Sequence, residues 1–174
     1  MNIFYTDPCP VISAQNLCDK HIVKMPLESA QMLSTAWRLQ TDHSLVYDPD
    51  WNDKRGIYQK AYEHHPSTKW ASRSAKNYKW LFHHFVSLCI EYQYRYNKIH
   101  ASFGLLEALS SIPHLLRSHH CLDQTFTEPP MCMPDEYKAD KNTITAYRNY
   151  IHGEKKSFAV WAHRPAPAWF VERG

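Results

Sequence analysis

The stretch Asp19-Lys20-His21-Ile22-Val23-Lys24-Met25-Pro26-Leu27-Glu28-Ser29-Ala30-Gln31 restricts what this chain can become more than any other feature. At about 100° per residue, the angular step of an α-helix, His21, Lys24, Glu28 and Gln31 share an arc roughly 80° wide. Ile22, Val23, Met25, Leu27, Ala30, Met32, Leu33 and Trp37 cover most of the remaining circumference. A surface helix carries a broad polar face and a narrower apolar stripe. Here the proportions are reversed, which describes a mostly buried helix with its ionisable groups gathered in a groove. Groups held so close beside apolar neighbours shift one another's pKa. Pro26 bears on this geometry, because it lacks an N–H and clashes with the carbonyl of Ile22, so it predicts a kink or a break. A kink leaves His21 beside Lys24 while Glu28 and Gln31 swing away.

The rest of the chain reads as helices separated by turns. Asn2 to Tyr5 is a short apolar run stopped by Asp7-Pro8 and Pro10. Ser13 is placed to cap a helix from Ala14 through the focal stretch to Leu39. Gln40 to Lys54 is polar and turn-rich, and a short helix over Arg55–Glu63 is expected to stop before His64-His65-Pro66. Ser67 or Thr68 starts the next element, which contains Trp70. Tyr78, Leu81, Phe82, Phe85, Leu88, Cys89 and Tyr92 recur at three-and-four spacing, which predicts a central core helix over Ala75–Lys98. A shorter helix is expected over Phe103–Ile112, closed by Pro113, with a further turn at His114–Arg117. Asp123 to Tyr137 holds three prolines and no periodicity and reads as an ordered surface loop. Asn142 or Thr143 caps a last helix, with Ile144, Tyr147, Ile151 and Phe158 inward and Gly153 as a point of interruption. The apolar tail from Arg164 to Phe170 is expected to pack back on the body. No convincing strand pair is present. The expected fold is all-α, a compact single-domain helical bundle with long ordered loops over residues 1–174.

Composition narrows the class. With 174 residues, 44% of them hydrophobic, and only four glycines, the chain can bury a core and is unlike a disordered segment. Its five cysteines show no CxxC spacing, which argues against a disulfide framework or a zinc knuckle and for reduced thiols. There is no basic leader and no apolar run long enough for a membrane span, so a cytoplasmic protein with no membrane partner is expected. A net charge of +3 and a pI near 8.5 permit an anionic partner without demanding one.

Chemistry concentrates in the groove. A partly desolvated lysine beside a carboxylate and an imidazole suits amine-nucleophile or general acid–base work, which makes His21, Lys24 and Glu28 the candidate catalytic residues and Gln31 a substrate contact. The plainer alternative is an i,i+4 salt bridge between Lys24 and Glu28 with His21 in the core. The doublets His64-His65, His83-His84 and His119-His120 raise the question of a metal. Adjacent helical residues diverge by about 100°, and no HxxE or HExxH pattern supports a site, so neither a metal nor a cofactor is expected. Basic and aromatic residues interleave around Lys69-Trp70, Tyr94-Arg95-Tyr96 and Tyr147-Arg148. Cations of this kind neutralise phosphates while rings stack on bases, and this pattern gives Trp70, Arg73, Arg95, Tyr147, Arg148 and Lys155 as candidate contacts to DNA or a nucleotide. The same pattern also fits long cations lying over aromatic core edges, and Glu91 with Arg95 reads as a structural pair. No P-loop, GxGxxG, GxSxG or paired-Asp phosphotransfer motif is present.

The segments NIFY, CDKHIVKM, ESAQML, HPSTKWA, MPDEYK, AYRNY and PAWF make the whole chain similar to a group of phage-encoded proteins of this length, a resemblance that implies no activity. The chain also resembles the phage pyrimidine-dimer DNA glycosylases with AP-lyase activity, the endonuclease V type. Those are small all-α proteins in which a helix carries a His and, seven residues later, the catalytic Glu, a spacing that His21 and Glu28 share. The resemblance implies base excision: an amine attacks the sugar C1′, a Schiff base forms, and Glu28 stabilises the charged intermediate or assists elimination. In that family the amine is the N-terminal one exposed when Met is removed. Asn2 is a large second residue, so here the amine is that of Met1, Lys24 takes its place, or the chemistry is different.

The expected function is therefore an N-glycosylase/AP lyase acting on a damaged or modified base. Two alternatives stay open: a nucleotide- or nucleobase-modifying enzyme that does not use duplex DNA, and a non-catalytic phage protein that disables a host factor.

Overall fold

A computed structural model of the chain describes residues 1–41, 54–117 and 125–172. Most of the expected 40–54 loop, the doublet His119-His120 and the start of the 123–137 loop lie outside the described residues. The described residues fold as helices without a strand, and the protein is all-α. None of their helices is long and apolar enough to cross a membrane.

Pro10 opens α1 (Pro10–Gln15) at the one helical position where a missing N–H costs nothing. The single helix expected over 14–39 is divided: α1 ends at Gln15 and α2 runs over Asp19–Leu39. The break has a visible cause, since the carbonyls of Gln15 and Leu17 accept from the Arg95 guanidinium at 3.1 and 2.8 Å. Ser13 does not cap; inside α1, its hydroxyl accepts from the Thr6 N–H at 3.2 Å. Pro26 lies within α2, and the helix continues through it. The Ile22 carbonyl loses its intrahelical donor there, yet His21, Lys24 and Glu28 stay on one continuous helix.

No helix forms over 57–63. Side chains of α2 take the backbone groups a helix would have used: the Arg38 guanidinium donates to the carbonyls of Tyr58 and Ile57, Ser34 accepts from the Tyr58 N–H, and Thr35 accepts from the N–H of Ala61. α3 (Pro66–Ala71) carries Trp70, and α4 (Ala75–Tyr96) is the core helix. Ser74 caps α4 by accepting from the Asn77 N–H, and Asn97 ends it in a left-handed conformation. α2 and α4 form the main packed pair, burying Met25, Leu33, Trp37, Tyr78, Leu81 and Phe85 between them and their neighbours.

The helix expected over 103–112 is a 3₁₀ turn, Ala101–Leu105, that passes into α5 (Leu106–Ser110), and α6 (His114–Arg117) follows Pro113. A second 3₁₀ turn, Asp135–Tyr137, leads to α7 (Thr143–Lys155), capped by Asn142 accepting from the Thr145 N–H. Gly153 does not interrupt α7; it gives room to Tyr137, whose hydroxyl oxygen would lie 2.5 Å from a Cβ at that position. The tail packs back through α8 (Ala168–Val171), with Phe170 edge-on to Trp161 at 4.7 Å and to His152 at 5.4 Å.

Candidate functional site

The site is built where the head of the chain folds back onto the first turns of α2. Phe4 adopts a left-handed backbone (φ 53°), an uncommon conformation for a residue with a Cβ, and this turns Met1 and Asn2 toward Glu28. Asn2 holds the reversal: its Oδ1 accepts from the N–H groups of Ile3 and Phe4 at 2.7 and 3.2 Å, and its Nδ2 donates to the Cys132 carbonyl at 2.7 Å. The Met1 side chain is enclosed, and the Thr68 hydroxyl donates to its Sδ at 3.8 Å.

Three nitrogen donors meet the Glu28 carboxylate, which is 8% exposed. The Asn2 N–H donates to Oε2 at 3.0 Å, and the Met1 α-amino group stands 3.9 Å from the same oxygen. On the other side, Lys24 Nζ lies 3.1 Å from Oε1, on a side chain that is 70% exposed. The carboxylate therefore faces the amine at the chain head and an outward one on its own helix. The groove around it holds about 430 Å³ and is lined by Met1, Asn2, Phe4, Lys20, His21, Lys24, Met25 and Glu28 from the first part of the chain, and by Cys132, Tyr150, Lys155 and Phe158 from the last.

His21 forms a wall of this groove. Its ring stacks on Phe4 at 4.3 Å, and its Nδ1 is 3.5 Å from the buried Cys18 Sγ. Burial, reinforced by the positive fields of Lys155 and Lys24, pushes its pKa down to about 4, so it is a neutral imidazole near pH 7. Burial likewise raises the Cys18 thiol.

The structure brings His21, Lys24, Glu28 and Lys155 to one groove and distributes the other expected contacts elsewhere. Gln31 is half-buried one turn further along α2, outside the groove lining. Trp70 is buried, donating from its indole to the Thr127 carbonyl at 2.9 Å. Arg73 lines a separate shallow cleft with Lys69 and Thr127. Tyr147 is buried behind the groove, where its hydroxyl donates to the Pro130 carbonyl at 2.7 Å and accepts from the Cys132 N–H at 3.2 Å; burial pushes that phenol up. Arg148 donates to the Thr6 carbonyl at 3.0 Å and lies 3.8 Å from Asp7.

Arg95, expected at a phosphate, is instead 3% exposed. It donates to Glu91 Oε1 at 2.8 Å and Asp19 Oδ1 at 2.9 Å. Glu91 also accepts from Arg164 at 2.5 and 2.7 Å. His84, one of the paired histidines that raised the question of a metal, is buried with neither ring nitrogen hydrogen-bonded, stacked on Trp80 at 5.0 Å. Among the described residues no three His, Cys, Asp or Glu side chains converge on one point as metal ligands would.

Sequence reading did not find Phe4, Lys20, Met25, Cys132 or Phe158, and it offered Tyr150 only within the basic-aromatic run that follows Tyr147. Phe4 lay in the short apolar run before Asp7-Pro8, where no period shows its partner. Tyr150 falls one turn after Tyr147 on α7 but carried no signal linking it to α2.

Residues 1–103 match the sequence model of the family described as pyrimidine dimer DNA glycosylase. Searches of curated proteins and of solved structures find no match. The matched segment contains the chain head, α2 with Glu28, and the core helix α4, and it is more than half of the 174 residues. The chain thus belongs to the pyrimidine dimer DNA glycosylase family, whose substrate is DNA.

Proposed function

We propose that this protein, a DNA glycosylase by family, works as an N-glycosylase/AP lyase in which an amine at the head of the chain is the nucleophile and Glu28 its partner. The observation that carries the reading is the meeting of the Met1 α-amino group and the Asn2 nitrogen on one oxygen of an enclosed carboxylate, at 3.9 and 3.0 Å. The amine lone pair attacks C1′ of the deoxyribose, a C–N bond forms, and the bond from C1′ to the base breaks, the base leaving with a proton. Opening of the sugar ring gives a protonated Schiff base. Loss of a C2′ proton then expels the 3′-phosphate, and water releases the sugar from the amine.

In this reading Glu28 holds the ammonium before reaction, accepts its proton, and stabilises the cation at C1′. An enclosed carboxylate does this more strongly than a solvated one, because the local dielectric is lower. Lys24 holds the second carboxylate oxygen and so positions Glu28. His21 is neutral and contributes a ring face and a hydrogen-bonding nitrogen rather than a charge. If Met1 is cleaved, the new amine is the Asn2 nitrogen, already 3.0 Å from the same oxygen.

Borohydride trapping on an oligonucleotide with a single abasic site tests the proposal. Wild type gives a covalent adduct, and trypsin leaves it on the peptide covering residues 1–20, the stretch before the first tryptic bond. An adduct on Lys24 would block cleavage there and appear on the peptide covering 21–38 instead. Glu28→Gln binds the same DNA and traps at least about 100-fold more slowly. Normal DNA binding without any wild-type adduct would falsify the lyase mechanism.

A further inference from the structure

We infer that Lys20 and Lys155, each seated over an aromatic ring at the mouth of the groove, form a clamp for a backbone phosphate of the nucleotide held at Glu28. The inference rests on the reading of the groove as the seat of the attacked sugar. Lys20 stands on the first turn of α2, with Nζ 4.3 Å from the centre of the Phe158 ring. Lys155 ends α7, with Nζ 4.9 Å from the centre of the Tyr150 ring.

The charge balance of the groove points to an anion. Its lining holds three lysines, Lys20, Lys24 and Lys155, against one carboxylate, Glu28. That carboxylate is occupied: Oε1 by Lys24, Oε2 by the chain head. Lys20 and Lys155 form no ion pair with a carboxylate among the described residues, and each is steadied by a ring instead. A cation–π contact orients an ammonium without cancelling its charge, so both lysines keep their full field toward the concave space. In a DNA substrate the complementary anion is a phosphate, which a compact ammonium binds as a point charge.

The other expected cations are placed differently. Arg95 is enclosed among carboxylates, Arg148 is beside Asp7, and Arg73 faces another cleft. The two rings that seat the lysines, Tyr150 and Phe158, lie beyond residue 103, where the family match ends. The later part of the chain therefore supplies the aromatic half of the clamp, and the matched part supplies Lys20 and the reacting groups.

The test is binding of a duplex carrying a tetrahydrofuran abasic analogue, measured against salt for wild type, Lys20→Met/Lys155→Met, and the exposed control Lys79→Met. The double variant is expected to lower the slope of log K against log salt by roughly 0.9, the worth of the one phosphate that the two lysines share, and to weaken binding about tenfold at moderate salt. The control reproduces the wild-type slope, as does Lys20→Arg/Lys155→Arg. Replacing phosphates next to the analogue one at a time with methylphosphonate should find a position that weakens wild type several-fold and leaves the double variant unchanged. An unchanged slope in the double variant, methylphosphonate effects that persist in it at every position, or no binding of this duplex by wild type would overturn the clamp. Wild-type trapping alongside an unchanged slope removes the clamp alone. A slope loss without wild-type trapping supports the clamp and removes the lyase reading.

Discussion

Arg95→Met separates a structural role from a DNA-binding role for a cation that the sequence pattern offered to both. The Arg95 side chain is wholly enclosed, and its guanidinium serves Glu91, Asp19 and the carbonyls of Leu17 and Gln15. Methionine fills most of the stem's volume and removes every donor. Glu91 would retain Arg164, and Asp19 would retain the Ala162 N–H at 3.0 Å, but both carbonyls would lose their guanidinium partner. Breaking a buried ion pair by deleting one partner costs about 3–5 kcal/mol, and the separate hydrogen-bond losses are already inside that figure because they act as one network. For a chain of this size each kcal/mol moves Tm by about 2–4 °C, so the midpoint should fall by roughly 6–20 °C. Calorimetry measures the midpoint, and fluorescence anisotropy on labelled DNA measures the salt slope, which should not change. A variant with wild-type Tm and a slope lowered by about 0.9, one phosphate contact, would refute the argument.

Two other perturbations follow from groups enclosed elsewhere. Burial holds His21 at a pKa of about 4 and His84 at about 3, against an ordinary 6.5, so the unfolded chain takes up these protons before the folded one does. The stability they leave intact above pH 6.5 is lost as pH falls, at up to about 1.4 kcal/mol per unit for each histidine, down to about pH 4 for His21 and pH 3 for His84. His84→Phe keeps the stack on Trp80 and removes two ring nitrogens without partners, so urea denaturation should show a gain over wild type that is larger at pH 5 than at pH 7; an equal gain at both would reject the assignment. Gly153→Ala should destabilise by about 1 kcal/mol through displacement of Tyr137, yet stabilise by up to about 1 kcal/mol in a Tyr137→Ala background, where only helix propensity remains. Stabilisation in both backgrounds would show that the Tyr137 contact imposes no constraint.

What could be read from the sequence was local in origin. The period of Tyr78, Leu81, Phe85 and Leu88 marked the core helix, because burial along a helix repeats at its own pitch. The arc shared by His21, Lys24 and Glu28 is likewise a property of one helix, and packing around α2 carried that helix through Pro26 despite the lost hydrogen bond. The misreadings arose where distant side chains decided the outcome. Arg95 interrupts the first helix from 78 and 80 residues away, and Arg38, Ser34 and Thr35 hold residues 57–61 out of a helix that their composition allowed. The groove was half legible for the same reason: its floor is one helix, whereas its far wall, Cys132, Tyr150, Lys155 and Phe158, comes from more than 100 residues later. Lys155 was found only as part of a basic-aromatic pattern.

The ion knot at Arg95 also sets a sequence of events during synthesis. Asp19, Glu91 and Arg95 can meet once α4 has been made, but Glu91 waits for its second guanidinium, and Asp19 for the Ala162 N–H, until the tail has emerged. Arg164 follows Arg95 by 69 residues, roughly 3–14 s at ordinary translation rates. During that interval the family-matched part of the chain holds Met1, α2 and Glu28 but neither the far wall of the groove nor its last ion pair. The groove is therefore completed late, by residues 132–158, just ahead of the segment that closes the knot.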